Sequence, residues 1–356
     1  MDTTRRAIKP TMEDVARRAG VSSATVARTL YRNGYVKPET RQMVEAAVAE
    51  TGYRPSVVAR GLRHRRSFTI GVVVREARLN ALHAAMSRVI EVEAMQRGYA
   101  VLKLNNNRDV EMERVGVQRF LDHDVEAVIF CSAIDPESVR TILSHGIPAV
   151  QVERETAAGG NLVTVDPDAG IGEAIDHLVA LGHRTFAFIG GDSGFHIEGP
   201  IAEAVEERRE QAFLKRLRHH RIDVAPGCML RGSYYHELDG DLHPGYDMMR
   251  SLIQLTPRPT AILFGSDLLA ASATQAIHDA GLTVPGDFSL VGYDNSIAEF
   301  LTPPLSSIGQ PVEELGRAAI EIALDDAGSR RLGAARREMK THFVRRASTG
   351  PAPSRS

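Results

Sequence analysis

Only two cysteines occur in the 356 residues, Cys131 and Cys228, almost a hundred positions apart. That excludes a disulfide framework and any CxxC-type metal site, and Cys131, which ends the apolar run VIFC, is expected to be an ordinary buried thiol. No apolar run reaches the roughly 18 residues of a membrane span, and the amino terminus is polar and basic without a signal-peptide core, so a cytoplasmic protein is expected. Dinucleotide and nucleotide fingerprints are missing too. Gly190, Gly191 and Gly194 hint at a phosphate cradle, but neither GxGxxG nor Walker spacing is present, and a strand-to-helix loop is the expectation. There is no GxSxG elbow, the scattered His, Asp and Ser residues form no catalytic set, and His219 and His220 in KRLRHHR read as a solvated helix face. The expectation is therefore a protein without cofactor, metal or enzymatic activity. The stretch 328–356 lacks heptads, which argues against a coiled-coil tetramer.

What is present is a strong asymmetry of charge. Residues 1–66 hold 14 Lys and Arg against 6 Asp and Glu; residues 67–356 hold 29 against 39, so a net charge of −2 hides a basic head and an acidic body. Such a division suits a chain in which one part neutralises phosphates and the rest avoids them.

The basic head carries three helical patterns. Thr11 can cap the first, Glu13 and Asp14 lie in its opening turn, Val15, Ala16 and Ala19 give it an apolar face, and Gly20 ends it. Ser22 then caps a second helix, leaving only Gly20 and Val21 between the two, the spacing of a helix-turn-helix. With Val26 and Leu30 facing inward, Ser23, Ala24, Ala27 and Arg28 are expected to face outward, where an arginine can read guanine bidentately and Ser23 and Thr25 can reach bases or phosphates. Pro38 opens a third helix with Val44, Ala47 and Val48 on one face, and Gly52 stops it. After Pro55, residues 56–62 can form one or two turns, too short to stand alone.

From Phe68 onward short apolar runs alternate with amphipathic helices. Strands are expected at 68–74, 99–104, 125–130, 147–152, 186–190, 260–264 and 288–292, and this β-α alternation means parallel sheets covered by helices. There is too much of it for one sheet, and the turn residues near 155–165 suggest where a second begins.

Taken together, DVA-x-x-AGVS-x-x-TV-x-R, GYV-x-x-x-TR and GYRP-x-x-x-AR-x-L resemble the head of the lactose-repressor (LacI/GalR) family of bacterial transcription regulators. HLVALGHRTFAFIGG, RPTAILFGSDLLA, AGLTVPGDFSLVGYDNS and LTPPLSSIGQPVEELG are similar to the body of the same family. The resemblance implies an all-α helix-turn-helix headpiece joined to a two-lobed α/β effector domain of type I periplasmic-binding-protein fold, with Rossmann-like lobes, parallel sheets and three crossings. It implies a DNA-facing set of Thr11, Ser22, Ser23, Ala24, Thr25, Arg28, Asn33, Tyr35, Ser56, Ala59, Arg60 and Leu62, the last as an apolar wedge that hinge helices push into the minor groove. In the crevice it implies Asn80, Glu153, Arg209, Tyr234, Ser266, Asp294 and Gln310. Five positions depart from the family pattern: Ala27 and Ser56 in the head, and Glu153, Ala212 and Ser266 in the body. Arg75 and Arg78 stand where many relatives are uncharged, which raises an anionic effector as an option.

The expected organisation is a headpiece at 1–55, a hinge at 56–67, an effector and dimerisation domain at 68–346 and a disordered tail at 347–356. Within the domain the lobes are expected at about 68–162 plus 295–325 and about 163–294 plus 326–346. The partners implied are a near-palindromic duplex operator, a sugar, sugar acid or purine effector, and a second copy of the chain, with no membrane. A transport-type binding protein, or a sugar-processing protein with a regulatory DNA-binding head, are the competing readings.

Overall fold

The computed structural model describes residues 10–31, 34–54, 66–75, 81–131, 133–192, 205–233, 244–329 and 332–354. They form two compact units, divided between Phe68 and Thr69.

The first unit is built on α1 (Met12–Ala19), α2 (Ser23–Tyr31) and α3 (Pro38–Thr51). Thr11 and Asp14 close a capping box, the Thr11 hydroxyl accepting from Asp14 N at 3.3 Å while the Asp14 carboxylate accepts from Thr11 N at 2.9 Å. Gly20, at φ 65°, takes the left-handed conformation that ends α1, and Ser22 Oγ accepts from Thr25 N at 3.2 Å to start α2. The core joins Val15, Ala16, Ala19, Val26, Val44, Ala47 and Tyr53, so α3 closes the helix-turn-helix pair as its apolar face predicts. Ala27 is an exception to the expected outward face. Its methyl group is buried, as is Thr29, whose hydroxyl donates to the Thr25 carbonyl.

The second unit holds two six-stranded sheets. β1 (Thr69–Val74), β2 (Ala100–Asn105), β3 (Val128–Phe130), β4 (Ala149–Val152), β5 (Asn161–Asp166) and β11 (Arg336–Lys340) form the first, in the order β11-β5-β4-β3-β1-β2. β6 (Phe186–Asp192), β7 (Met229–Ser233), β8 (Ala261–Phe264), β9 (Ser289–Asp294), β10 (Ser306–Gly309) and β12 (His342–Val344) form the second, in the order β12-β10-β9-β8-β6-β7. All pairings are parallel except β12 on β10. Helices α4 (Ala81–Gln96), α5 (Val110–Asp122), α6 (Pro136–Ser144) and α11 (Val312–Ser329) belong to the first lobe; α7 (Asp168–Ala180), α8 (Val205–His219), α9 (Pro244–Ile253) and α10 (Asp267–Asp279) belong to the second. α11 lays Leu315, Ala319, Ile322 and Ala323 against Ile70, Val72, Ile129 and Val150, burying an aliphatic face that contributes on the order of 1.5–3 kcal/mol per large side chain.

The seven expected strands are all found, within two or three residues at their ends. β5, β7, β10, β11 and β12 were not expected, and they shift the lobe boundaries. The chain crosses at 166–168, 309–312 and 340–342, so β5 and residues 326–340 join the first lobe and residues 295–309 join the second. These strands are short or polar and lack the apolar runs by which the others are recognised. At the first crossing Gly170 is required: a Cβ there would lie 2.6 Å from Ile308 and 2.8 Å from the Thr341 hydroxyl, which accepts from Gly170 N.

Three local expectations are corrected. Gly190 and Gly191 lie inside β6, paired with Arg231 and Gly232, rather than in a loop. His220 turns its ring to Asp176 on α7 instead of solvent. Residues 347–354 are no loose tail: Ser348 is buried, its hydroxyl accepts from Ser306 N and donates to Leu290 O, and the Gly350 carbonyl meets the buried His183 ring at 3.0 Å. The composition of Gly, Ala, Ser and Pro reads as disorder, but these small residues let a strap lie close against β9 and β10.

Candidate functional site

On the headpiece, Ser22, Ser23, Ala24 and Arg28 form the exposed side of α2, with Thr25 half-buried beside them. Thr11 and Ser22 spend their hydroxyls on helix caps, which fixes the start of both helices; their backbone and remaining lone pairs are what a phosphate would meet. Tyr35 is 85% exposed, a large aromatic side chain with no packing role. Gly34 is a participant that sequence reasoning missed. Its φ of 143° favours glycine, and it sits beside the Arg28 stem, where an added Cβ would make ordinary van der Waals contact with Cδ at 3.4 Å. Asn33, Ser56, Ala59, Arg60 and Leu62 lie outside the described residues, as does the expected hinge helix.

On the body, the other candidates gather where parallel strands end. Arg75 follows β1, Glu153 follows β4, Ser266 follows β8, Asp294 ends β9 and Gln310 follows β10, all at carboxyl ends of strands, where open α/β sheets hold ligands. Asn80 and Tyr234 lie outside the described residues.

Glu153 sits at φ 66°, an unusual conformation for a glutamate, and its Oε2 lies 3.1 Å from His83 Nε2. The other nitrogen of the buried His83 ring faces the Arg75 carbonyl at 3.2 Å, so His83 ties the ends of β1 and β4 together. Burial acts to raise the Glu153 carboxyl, but the His83 hydrogen bond and charge, with Arg209 and Arg75 behind it, hold it below the usual carboxylate range. Cys131, fully buried at the end of β3, has its thiol pushed up to about 12 by burial and then by Glu153, which makes it inert.

Across from Glu153, Arg209 on α8 lies with its guanidinium 4.0 Å from the Tyr293 ring centroid and donates to the Gly265 carbonyl at 2.9 Å. Asp294 and Asp267 are neighbouring carboxyls. Asp267 is fully buried and accepts from Ser307 Oγ at 2.6 Å and Ser296 N at 2.7 Å; Asp294 accepts from the same Ser296 N at 2.9 Å. Burial first, then the Asp267 charge, drives the Asp294 carboxyl well above its ordinary value. Asp294 and Asn295 both have positive φ, 86° and 53°. Arg346 of the carboxyl-terminal strap pins them, donating to Asn295 Oδ1 and Leu305 O, each at 2.8 Å.

Gln310 completes the group. It is 6% exposed, follows the residue paired with Asp294 in the β9–β10 register, and neither its side-chain oxygen nor its nitrogen has a hydrogen-bond partner. Ser266 is placed differently from expectation: its hydroxyl caps α10 by accepting from Leu269 N at 3.3 Å. Arg75, Glu153, Arg209, Asp294 and Gln310 thus come together, while His83, Asp267 and Tyr293 were missed. A lone histidine or aspartate carries no sequence signal for such a role.

The raised Asp294 carboxyl has a consequence for stability. An unfolded aspartate titrates near about 3.9, whereas the folded Asp294 keeps its proton to higher pH, so folding stability falls as pH rises through the interval between those two values. Asp294→Asn is therefore expected to raise the unliganded melting temperature by a few degrees at pH 7. Thermal melts between pH 4 and 8 check this, since the gain must vanish toward the acid end; an equal gain at every pH contradicts it.

Comparison with known proteins then fixes the family. Residues 11–56 match the bacterial regulatory proteins of the lacI family, and residues 175–349 match the periplasmic binding protein-like domain. Catabolite control protein A of Priestia megaterium is 30% identical over 315 residues, 88% of this chain and 91% of its own length. The chain belongs to the lacI family. As a lacI-family protein it is a DNA-binding transcriptional repressor under small-molecule control, with the helix-turn-helix and two-lobed body described above. The ribose operon repressor of Escherichia coli K12 is similarly related, 29% identical over 318 residues, 88% of this chain and 92% of that protein. Among solved structures, the lac repressor dimer bound to operator and the anti-inducer ONPF superposes on this regulator with a TM-score of 0.77 at 27% identity, covering 96% of this chain and all of that one. Among the described residues no helix is long and apolar enough to cross a membrane.

Proposed function

We propose that this repressor acts as a homodimer whose grip on a near-palindromic operator is set by a small molecule, a sugar or sugar derivative, held among Arg75, Glu153, Arg209, Asp294 and Gln310. The observation that carries this reading is the buried, unpartnered amide of Gln310 beside Asp294. A buried amide with nothing to bond costs about 1–3 kcal/mol, and a ligand hydroxyl supplies both a donor and an acceptor for it. The ribose operon repressor among the relatives, and the lac repressor bound to an anti-inducer, support a sugar-like occupant.

Arg28 and Ser23 are the residues assigned to base edges and phosphates in the major groove, and residues 56–62, outside the described residues, are assigned on sequence to a hinge carrying Leu62 toward the minor groove. Exposed Val92 and Met95 on α4, and Met112 and Val115 on α5, are apolar side chains a subunit partner would cover. Ligand at the crossings shifts one lobe against the other, and a hinge of marginal stability then forms or melts. No catalytic role is assigned to any residue of the crevice.

The test is selection of duplexes from a random pool by the full-length protein, followed by anisotropy titrations with and without candidate ligands. A site with half-sites about one helical turn or a multiple apart is expected, and one ligand is expected to change its affinity by one or two decades, a coupling of ~1–3 kcal/mol. No enriched site, or turnover of the ligand, overturns the reading.

A further inference from the structure

We infer that Arg208 is a positioning residue of the crevice: together with Glu206 it clips the start of α8 to the first lobe and so keeps Glu153 and Arg209 facing each other before any ligand arrives. This rests on the crevice being the effector site.

The seam between the lobes alternates in charge. After β4 the first lobe presents Glu153, Arg154 and Glu155 in succession, and the second lobe answers with Glu206, Arg208 and Arg209 at the start of α8. Arg154 donates to Glu206 at 3.2 Å across the seam, a sheltered pair with side chains only 17% and 15% exposed. Arg208 makes a second salt bridge between the lobes, to Glu338 on β11 at 2.6 Å; Glu338 is half exposed, so water screens that pair and its Coulombic part is small. The contact that matters more is at the other guanidinium nitrogen. Arg208 Nη1 donates to Thr164 Oγ1 at 3.2 Å, and the same hydroxyl donates onward to the Glu153 carbonyl, also at 3.2 Å. One side chain of the second lobe thus reaches, through a single hydroxyl, the backbone of a crevice residue in the first.

Glu153 needs such support. Its φ of 66° is costly for a residue with a side chain and persists only where the surroundings fix it. Glu153 N donates to Val163 O at 2.8 Å, its carbonyl accepts from Thr164, and Arg336 holds Glu155 through two bonds of 2.8 and 2.6 Å. Arg336 and Glu338 stand two apart on β11 and therefore share one face of the strand, which takes Glu155 from its own lobe and Arg208 from the other. On α8, Arg208 precedes Arg209, so a shift at the start of the helix also moves the guanidinium that lies over Tyr293. On its outer side Arg208 borders an open cavity of about 410 Å³ that Asp166 and Asp168 also line, so it has acidic neighbours outside the seam when the clip releases.

Hydrogen exchange read by mass spectrometry on the full-length, unliganded protein tests this. Arg208→Met is expected to speed exchange about ten-fold or more in peptides covering 152–165 and 205–213, because hydrogen bonds from charged groups hold local openings closed. Exchange in the fully buried β8 is expected to stay as it was. Arg208→Lys should fall between, and Glu338→Arg added to Arg208→Glu should recover part of the protection that Arg208→Glu alone loses. Unchanged exchange in Arg208→Met overturns the inference. So does an equal acceleration in β8, which signals general loss of stability, or one confined to 205–213, which means that Arg208 steadies only its own helix. Where Arg208→Met folds too poorly to measure, Thr164→Val removes the bridging hydroxyl alone, and no acceleration at 152–165 then overturns the inference equally. Calorimetry with D-ribose, D-galactose and D-glucose adds a readout at the crevice. A sugar that binds the parent is expected to bind Arg208→Met about ten-fold or more weakly, since only molecules with the lobes correctly placed take it; equal affinity contradicts the positioning role. A sugar bound by the parent without any change in operator affinity defeats the effector reading instead, and the exchange result on Arg208 stands apart from it.

Discussion

Deleting residues 345–356 is expected to collapse the second lobe. The strap supplies acceptors to two strand amides, Leu290 N donating to Ser348 O at 2.9 Å and Ser306 N to Ser348 Oγ at 2.7 Å, and without it the buried His183 loses the Gly350 carbonyl. Each buried group left unsatisfied costs about 1–3 kcal/mol, so three of them approach the ~5–15 kcal/mol that holds a typical domain together. At ~2–4 °C per kcal/mol for a domain of this size, the second-lobe melting transition should fall by roughly 10–20 °C or more. Scanning calorimetry of the truncated chain beside the parent measures it. Ser348→Ala isolates one link, removing the hydroxyl from Ser306 N and Leu290 O while leaving the backbone bond, and should show a smaller loss. A truncated protein that melts within about 3 °C of the parent would mean that water or neighbouring side chains replace the strap at little cost.

Arg28→Ala is expected to erase most of the preference for the selected operator over scrambled duplex. The side chain is exposed on α2 and takes no part in the headpiece core, so its removal leaves the fold intact. A bidentate arginine–guanine contact is worth about 1–3 kcal/mol of discrimination, which is roughly ten-fold to more than a hundred-fold in relative affinity. Ser23→Ala, at the exposed start of the same helix, should weaken binding less and more evenly across sequences, as a phosphate contact does. Anisotropy titrations at one fixed salt concentration separate the two behaviours, since phosphate binding depends steeply on salt. Equal losses on operator and scrambled duplex for Arg28→Ala would place the arginine on the backbone instead of a base.

Much of the headpiece could be read residue by residue because its signals are local. A cap such as Thr11, a stop such as Gly20 or Gly52, and an apolar face such as Val15, Ala16 and Ala19 act within one or two helical turns. Ala27 escaped that reading because a methyl group is small enough to suit either face of a helix, and the packing around α2 chose the inside. The central strands were legible for the same local reason, being buried on both faces and therefore continuously apolar, as in TIGVVV and AILF. β11, RREMK, and β10, SSIG, carry no such run; they become strands only because β5 and β9 offer them free edges. The lobe boundaries moved with them.

The crevice divides along the same line. Arg209, Asp294 and Gln310 stand in recognisable motifs, whereas His83 is one of 13 histidines, and its partner Glu153 lies 70 positions away in the chain. Sequence alone determined the helix-turn-helix, the order of most strands and helices and the separation of a basic head from an acidic body, because caps, turns, periodicity and charge are properties of neighbours along the chain. Tertiary structure alone decided which strands close each sheet, that the final residues lock onto β9 and β10, and how charges from both lobes balance in the crevice. Those depend on backbone edges and side chains meeting through space, where desolvation and pairing are set by groups that no local pattern connects.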